Sequence, residues 1–271
     1  LPNIPESIPS QNVMKDEFGW EVPVETVPVP SEGKVYPAGT VLHNKKTLQI
    51  KAMTAREEDI LSSRPLIQQG TVISHLIQAC LIDKDVNVRN MLLGDRNALM
   101  VSVRITGYGS KYDAESACPD CGERSTQEFN LSDLEIKRLK INPVSQGENL
   151  FSFKLPVTGK EVQFRFITGA DEEERSTAAD RKRKLMPELK IETNVTGRLE
   201  QAIVSISGIT DKNKINQFVK NMPAQDSRSL RSYIIKHEPG IDMSAWMSCP
   251  HCGETSRINL PVGSNFFWPT E

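Results

Sequence analysis

No apolar run in this 271-residue chain approaches the roughly 20 residues a helix needs to cross a bilayer, so no membrane-spanning helix is expected. HExxH, P-loop and GxSxG patterns are absent, and the four histidines are scattered. With no nucleophile placed beside a base, no enzyme activity is expected. The net charge of −2 is too small to draw the whole chain to nucleic acid or to an acidic membrane. Hydrophobic residues make up 38%, below the usual share, yet the length suffices for one large or two modest domains with a core. The proline-rich, polar beginning does not carry the pattern of a secretory leader. Cysteines number five, an odd count for a disulfide framework. Four of them fall in C-x-x-C pairs, so metal binding in a reducing compartment is the expectation.

Those pairs are the chemistry the sequence does offer. Cys118-Pro119-Asp120-Cys121-Gly122 and Cys249-Pro250-His251-Cys252-Gly253 are both C-P-x-C-G knuckles. The spacing lets two thiols point at one metal, proline sets the turn, and glycine supplies a permissive backbone where the loop closes. Cys118, Cys121, Cys249 and Cys252 together make the ligand set of a tetrahedral structural zinc site. Asn130-Leu131 and Asn259-Leu260 follow the two knuckles at distances that differ by two residues, which keeps the same strand face inward. Closing a loop of about 100 residues costs roughly 4–5 kcal/mol. Structural zinc contributes on the order of 10–16 kcal/mol in small peptides, so one joint site outweighs that cost. The rival readings are a redox C-x-x-C, two half-sites completed by other subunits, and plain core cysteines. A redox motif normally heads a helix, whereas strand-like residues follow each knuckle here. His251 reads as an exposed tip residue. Cys80 lies on an apolar helix face with Val72, Leu76 and Ala79 and reads as a buried hydrophobe.

In chain order, six prolines within residues 1–30 interrupt any helix, while Trp20, Val22, Val24, Val27 and Val29 give that stretch apolar points. The expectation is an extended arm that docks on a neighbouring protein. Thr54-Ala55-Arg56-Glu57 is a capping box, Pro65 breaks or restarts the helix it opens, and Gly70 ends it. Thr71 opens a second helix and Asp95 caps a third. Leu131 to Lys140 is expected to be a short helix. Phe151–Leu155 and Glu161–Phe166 form a hairpin around Thr158-Gly159. Residues 171–184 begin acidic and end basic, which suits a solvated helix dipole. Thr196 caps a helix running through Leu199, Ala202, Ile203 and Ile206. Asp211 caps the next, and Pro223 opens a last one. Phe266, Phe267 and Trp268 crowd the final residues and are expected to anchor an interface.

The expected fold is α+β: a mainly helical domain with β-hairpins and a discontinuous, zinc-ribbon-like four-cysteine module. The divisions are an extended arm over residues 1–34, a helical region over 35–110, the zinc module over 111–135 and 243–263, a hairpin with helices over 136–242, and an aromatic tail over 264–271.

The order of these features resembles a known family. Gly94-Asp95-Arg96 heads a helix, Tyr108-Gly109 precedes the first knuckle, and Phe164-Arg165-Phe166 closes the hairpin. Met222-Pro223-Ala224 with Asp226, then His237 near Pro239-Gly240-Ile241-Asp242, lead to the second knuckle and to Phe266-Phe267-Trp268-Pro269. This resembles the T4-type baseplate protein family of contractile-tailed bacteriophages, over residues 34 to 269. The resemblance implies a virion structural protein of the tail baseplate, in or near its hub, made in the host cytoplasm and joined to other tail proteins. The alternative is a nucleic-acid-binding zinc ribbon. It calls for basic and aromatic knuckle tips, and the tips here carry Asp120, Glu123 and Glu254. An enzyme using the basic 181–184 segment is the third reading.

Overall fold

The computed structural model describes residues 12–15, 19, 21–185, 194–262 and 266–267. It is an α+β fold of eight helices and small antiparallel sheets among those residues. Strands β1 (Asn12–Lys15), β2 (Glu21–Pro28) and β3 (Thr47–Lys51) form the first sheet. Helices α1 (Ala55–Ser62), α2 (Arg64–Gln69), α3 (Val72–Cys80) and α4 (Leu93–Tyr108) follow. Hairpin β4 (Lys111–Ala117) and β5 (Arg124–Asn130) carries the first knuckle at its tip. Short β6 (Ile136–Lys137) leads on to β7 (Phe151–Lys154) and β8 (Glu161–Phe164). Helices α5 (Gly169–Leu185) and α6 (Asn194–Ala202) come next, and then β9 (Ile203–Ile206) joins the edge of β8. Helices α7 (Lys212–Asn221) and α8 (Ala224–His237) precede β10 (Gly240–Ile241), which pairs with β6. Hairpin β11 (Ser244–Ser248) and β12 (Thr255–Asn259) carries the second knuckle.

Local chemistry accounts for many of the boundaries. The Glu57 carboxylate accepts from the Thr54 N–H at 2.9 Å and the Thr54 hydroxyl at 2.5 Å, which fixes the start of α1. Pro65 sits in the first turn of α2, and Gly70 ends that helix in the left-handed region. Asp211 caps α7 by accepting from the Lys214 N–H at 2.9 Å. The tip of the β7–β8 hairpin is held from outside itself. Asp226 of α8, fully buried, accepts from the Val157 and Thr158 N–H groups at 2.7 and 3.1 Å. Burial pushes that carboxyl up, but the two amides outweigh it and leave it below the usual carboxylate range.

Helix α4 is the centre of the fold. Ala98, Leu99, Val101 and Val103 are buried along it, and its two ends are tied by buried polar groups. Near the start, Asp95 accepts from the Ser31 N–H at 2.8 Å, the Ser31 hydroxyl at 2.5 Å and the Tyr36 hydroxyl at 2.6 Å. The Leu92 N–H donates to the same tyrosine oxygen at 2.9 Å, which closes the network. Gly94 passes so close to the chain at Pro239 that a Cβ there would lie 1.7 Å from the Pro239 carbonyl oxygen. Near the end, Arg104 is 1% exposed and meets no carboxylate. Its guanidinium donates to the carbonyls of Phe266 at 2.5 Å, Gly109 at 2.7 Å and Lys111 at 3.0 Å. One side chain therefore ties the end of α4, the root of β4 and the closing segment of the chain.

Several expectations are corrected here. Among the described residues of the first 34, the chain is not a free arm: β1 and β2 pair with each other, β2 pairs with β3, and Val27 and Val29 are buried in the chain's own core. Pro23 lies opposite Val13 of β1, and Pro28 is the last residue of β2, opposite Thr47 of β3. Val22 and Val24 are half-buried, and Trp20 lies outside the described residues. Phe266 and Phe267 do not anchor an outside interface. They are 0% and 5% exposed, with Phe266 packed edge-on to Tyr112 at 5.3 Å, and Trp268 lies outside the described residues. Asp95 is not a cap, because its carboxylate is taken by Ser31 and Tyr36 and α4 begins at Leu93. The segment after Leu131 makes a single 3-10 turn and then β6, with its donors satisfied by the distant strand β10. Ile203–Ile206 is strand, not helix, since β8 offers it a sheet edge. The acidic start of α5 is not merely solvated. Asp171 takes a bidentate pair with Arg165 at 2.6 and 2.6 Å, and Glu173 is buried against Ser74 and Arg89.

Replacing Arg104 tests the tie directly. Arg104→Met keeps an unbranched apolar stem but leaves the buried Phe266 carbonyl and the part-buried Gly109 and Lys111 carbonyls without this donor, and it should cost on the order of 3 kcal/mol in urea-unfolding stability. A loss under about 0.5 kcal/mol, the scale of an ordinary surface change, would contradict the role given to this side chain.

Candidate metal centre

The two knuckles have the same backbone construction. In the first, the Cys118 N–H donates to Glu123 O and the Gly122 N–H to Cys118 O, both at 2.9 Å. In the second, the Cys249 N–H donates to Glu254 O and the Gly253 N–H to Cys249 O, again at 2.9 Å. Gly122 and Gly253 take φ values of +79° and +78°, the left-handed region where a side chain is strained. Each knuckle turns between two antiparallel strands and heads no helix. The helix-dipole activation that characterises redox C-x-x-C pairs is therefore missing.

The hairpins bring all four sulfurs together. Cys118 Sγ lies 3.8 Å from Cys252 Sγ, and Cys121 Sγ lies 3.7 Å from Cys249 Sγ. All four ligand atoms lie within 4.8 Å of one another. A disulfide would need about 2.05 Å, so these are not bonded pairs. Four sulfurs around one ion at Zn–S of about 2.3 Å stand roughly 3.8 Å apart in a tetrahedron, which matches the two separations across the hairpins. The donor set thus fits a single four-coordinate cation with no open position. Cys118 and Cys249 are buried while Cys121 and Cys252 are exposed. The backbone N–H groups of Cys252 and His251 pull the Cys249 thiol down to about 6, while its sulfur and the other cysteines beside them hold Cys121 up and Cys252 up to about 12, so one thiolate forms readily and the others need a cation's charge. His251 is exposed at the tip. Cys80 sits in α3, fully buried, with its thiol pushed up to about 12 by burial.

Contacts outside the sulfurs also join the hairpins. Asp120, at the tip of the first knuckle, accepts from the Ser256 hydroxyl of β12. Gln127 Nε2 donates to Ser248 O at 2.7 Å, and the Tyr112 hydroxyl donates to Pro261 O at 2.6 Å. Met247 is fully buried beside Ser116. The sequence signals none of these cross-links, because each partner is an ordinary polar residue of a strand. Trp246 is the other feature that was missed. It stands on the outer face of β11 and is 70% exposed, although the alternation that sends Met247 inward already sends its neighbour out.

Comparison with known families gives a match over most of the chain. The family model described as T4 bacteriophage base plate protein matches residues 34–268, which take in both knuckles, α4 and the closing Phe266-Phe267. No curated protein and no solved structure matches the chain.

The knuckle glycines make a test free of metal assays. Nothing lies within 4 Å of a Cβ built on either glycine, so the cost of alanine there is backbone strain alone. Gly122→Ala and Gly253→Ala should each lose about 1–2 kcal/mol in denaturant unfolding, and the corresponding Asn variants less. Equal stability of the Ala and wild-type proteins would show that the loops reach these φ values without strain.

Proposed function

Because the chain belongs to the T4 bacteriophage base plate protein family, we propose that it is a structural component of a contractile-tail baseplate, at or near the hub, where it joins neighbouring subunits. The match over residues 34–268 is the observation that carries this reading. Association with other tail proteins and a place in the virion tail follow from the family. The cysteine cluster supports a stabilising role for a bound ion, and zinc is the ion proposed: a closed four-thiolate set suits a borderline-soft cation in a tetrahedral structural site. Bound there, zinc supplies cohesion and charge neutralisation. Cys118 and Cys121 hold it from one hairpin, and Cys249 and Cys252 from the other. In the subunit contact, exposed Trp246 takes the place first expected of the terminal aromatics, since an indole 70% open to solvent is the kind of group that anchors interfaces.

Two measurements on one preparation test this. Tails purified from lysates of the phage that encodes the chain should contain it, and the isolated protein purified under reducing conditions should carry one zinc per chain. Cys80→Ser should leave that stoichiometry unchanged. Absence from tails and from baseplate assembly intermediates alike would overturn the structural reading. Zero zinc would overturn the choice of metal, and two per chain would mean that the knuckles bind separately.

A further inference from the structure

A cleft of about 460 Å³ is walled by arginines from three helices: Arg96 of α4, Arg175 of α5 and Arg198 of α6. Ile73 and Ser176 complete much of the lining, and Glu172 is the carboxylate in the wall. Arg96 is 4% exposed. Its Nη2 donates to Glu172 and its Nη1 to Ser74 Oγ at 3.4 Å, while its Nε is buried without a partner. Glu173, buried beside it, is balanced by Arg89 at 2.7 Å. Glu172 therefore answers the charge of Arg96, and nothing in the wall answers the other two. Among the described residues neither Arg175 nor Arg198 makes a hydrogen bond or a close ion pair.

Two long cations on a convex surface would simply be solvated. Here they converge on a concavity that also holds a buried guanidinium with an unused donor. Arg198 also lies in the field of Glu238, so the arrangement leaves a surplus of about one positive charge, spread over three guanidinium groups in a walled space, for a ligand that can accept several N–H bonds at once. We infer that this cleft binds paired carboxylates of an acidic segment on a neighbouring protein. The inference rests on the baseplate reading only for the source of that segment. A nucleic-acid backbone is the poorer occupant, because a net charge of −2 and acidic knuckle tips give it no basic track to follow. An acidic peptide needs only the local cluster. Its attraction weakens as salt rises, and the planar guanidinium forks set the orientation of its carboxylates.

The test uses the purified full-length chain and a tetraglutamate peptide as probe, followed by NMR titration. Tetraglutamate should bind one per chain, with affinity falling as salt is raised, while tetraglutamine should not bind. Arg175→Gln and Arg198→Gln should each lose about tenfold in affinity. Both are away from the core, so their thermal midpoints and metal content should match wild type, and a changed affinity then reports the cleft. Equal binding of the two peptides, no binding of tetraglutamate, or full affinity in both variants would overturn the proposal. Inorganic phosphate or a single-stranded oligonucleotide binding in an Arg175-dependent way, with tetraglutamate inert, would overturn it in favour of a phosphate site. The baseplate reading is judged separately. A chain found in tails but inert to tetraglutamate loses only the cleft, and a chain absent from tails loses the baseplate reading whatever the peptide does.

Discussion

Four sulfur atoms from two loops far apart in the chain must meet within 4.8 Å, and that requirement shapes the rest of the molecule. Everything between residues 122 and 248 is an excursion that leaves the first knuckle and has to return to it. The hairpins that carry the sulfurs form two separate two-stranded sheets, and isolated two-stranded hairpins are marginal in water. They depend on each other, through Gln127 to Ser248, Asp120 to Ser256 and the shared burial of Met247. They also depend on a base to stand on. Arg104 provides it, fixing the root of β4 and the segment at Phe266 to the end of α4.

The polar groups buried around α4 serve position more than raw stability. Burying a guanidinium is costly, and burial holds Arg104 below its usual basicity, but three carbonyl acceptors offset the cost. Asp95 is likewise pushed up by full burial and is satisfied by Ser31 and Tyr36. An apolar side chain could fill either space without specifying which segment packs there. These two select one partner each: the loop at residues 31–36 for the start of the helix, and the returning chain at residue 266 for its end. The same framework leaves the outer face of β11 open to solvent, with Trp246 standing on it.

Much of the site was legible in the sequence because it is local chemistry. The C-P-x-C-G spacing, the glycine turns and the strands on either side all lie within a few residues, and the geometry brings together the four cysteines the sequence named. The capping box at Thr54, the αL end at Gly70 and the hairpin at Thr158-Gly159 were readable for the same reason. What could not be read was pairing over distance. The valines of β2 looked like docking residues because nothing in the sequence shows that β3 is their partner. Phe266 and Phe267 looked like interface anchors because the groove beside Tyr112 exists only after β4 and α4 have packed. Ile203–Ile206 has helical spacing with its upstream neighbours, and only the open edge of β8 makes it a strand. Asp95 sat at a plausible cap position, and its true partners lie about 60 residues upstream, as the separations of 64 and 59 positions show.

The central claim is that the two knuckles form one joint that neither can form alone. Hydrogen exchange across residues 112–130 in Cys249→Ser reports this most directly, because the substitution is made in one hairpin and the readout is taken in the other. Loss of protection there by tenfold or more, with protection in α4 retained, is the result predicted. Wild-type protection of the first hairpin in that variant would contradict the account.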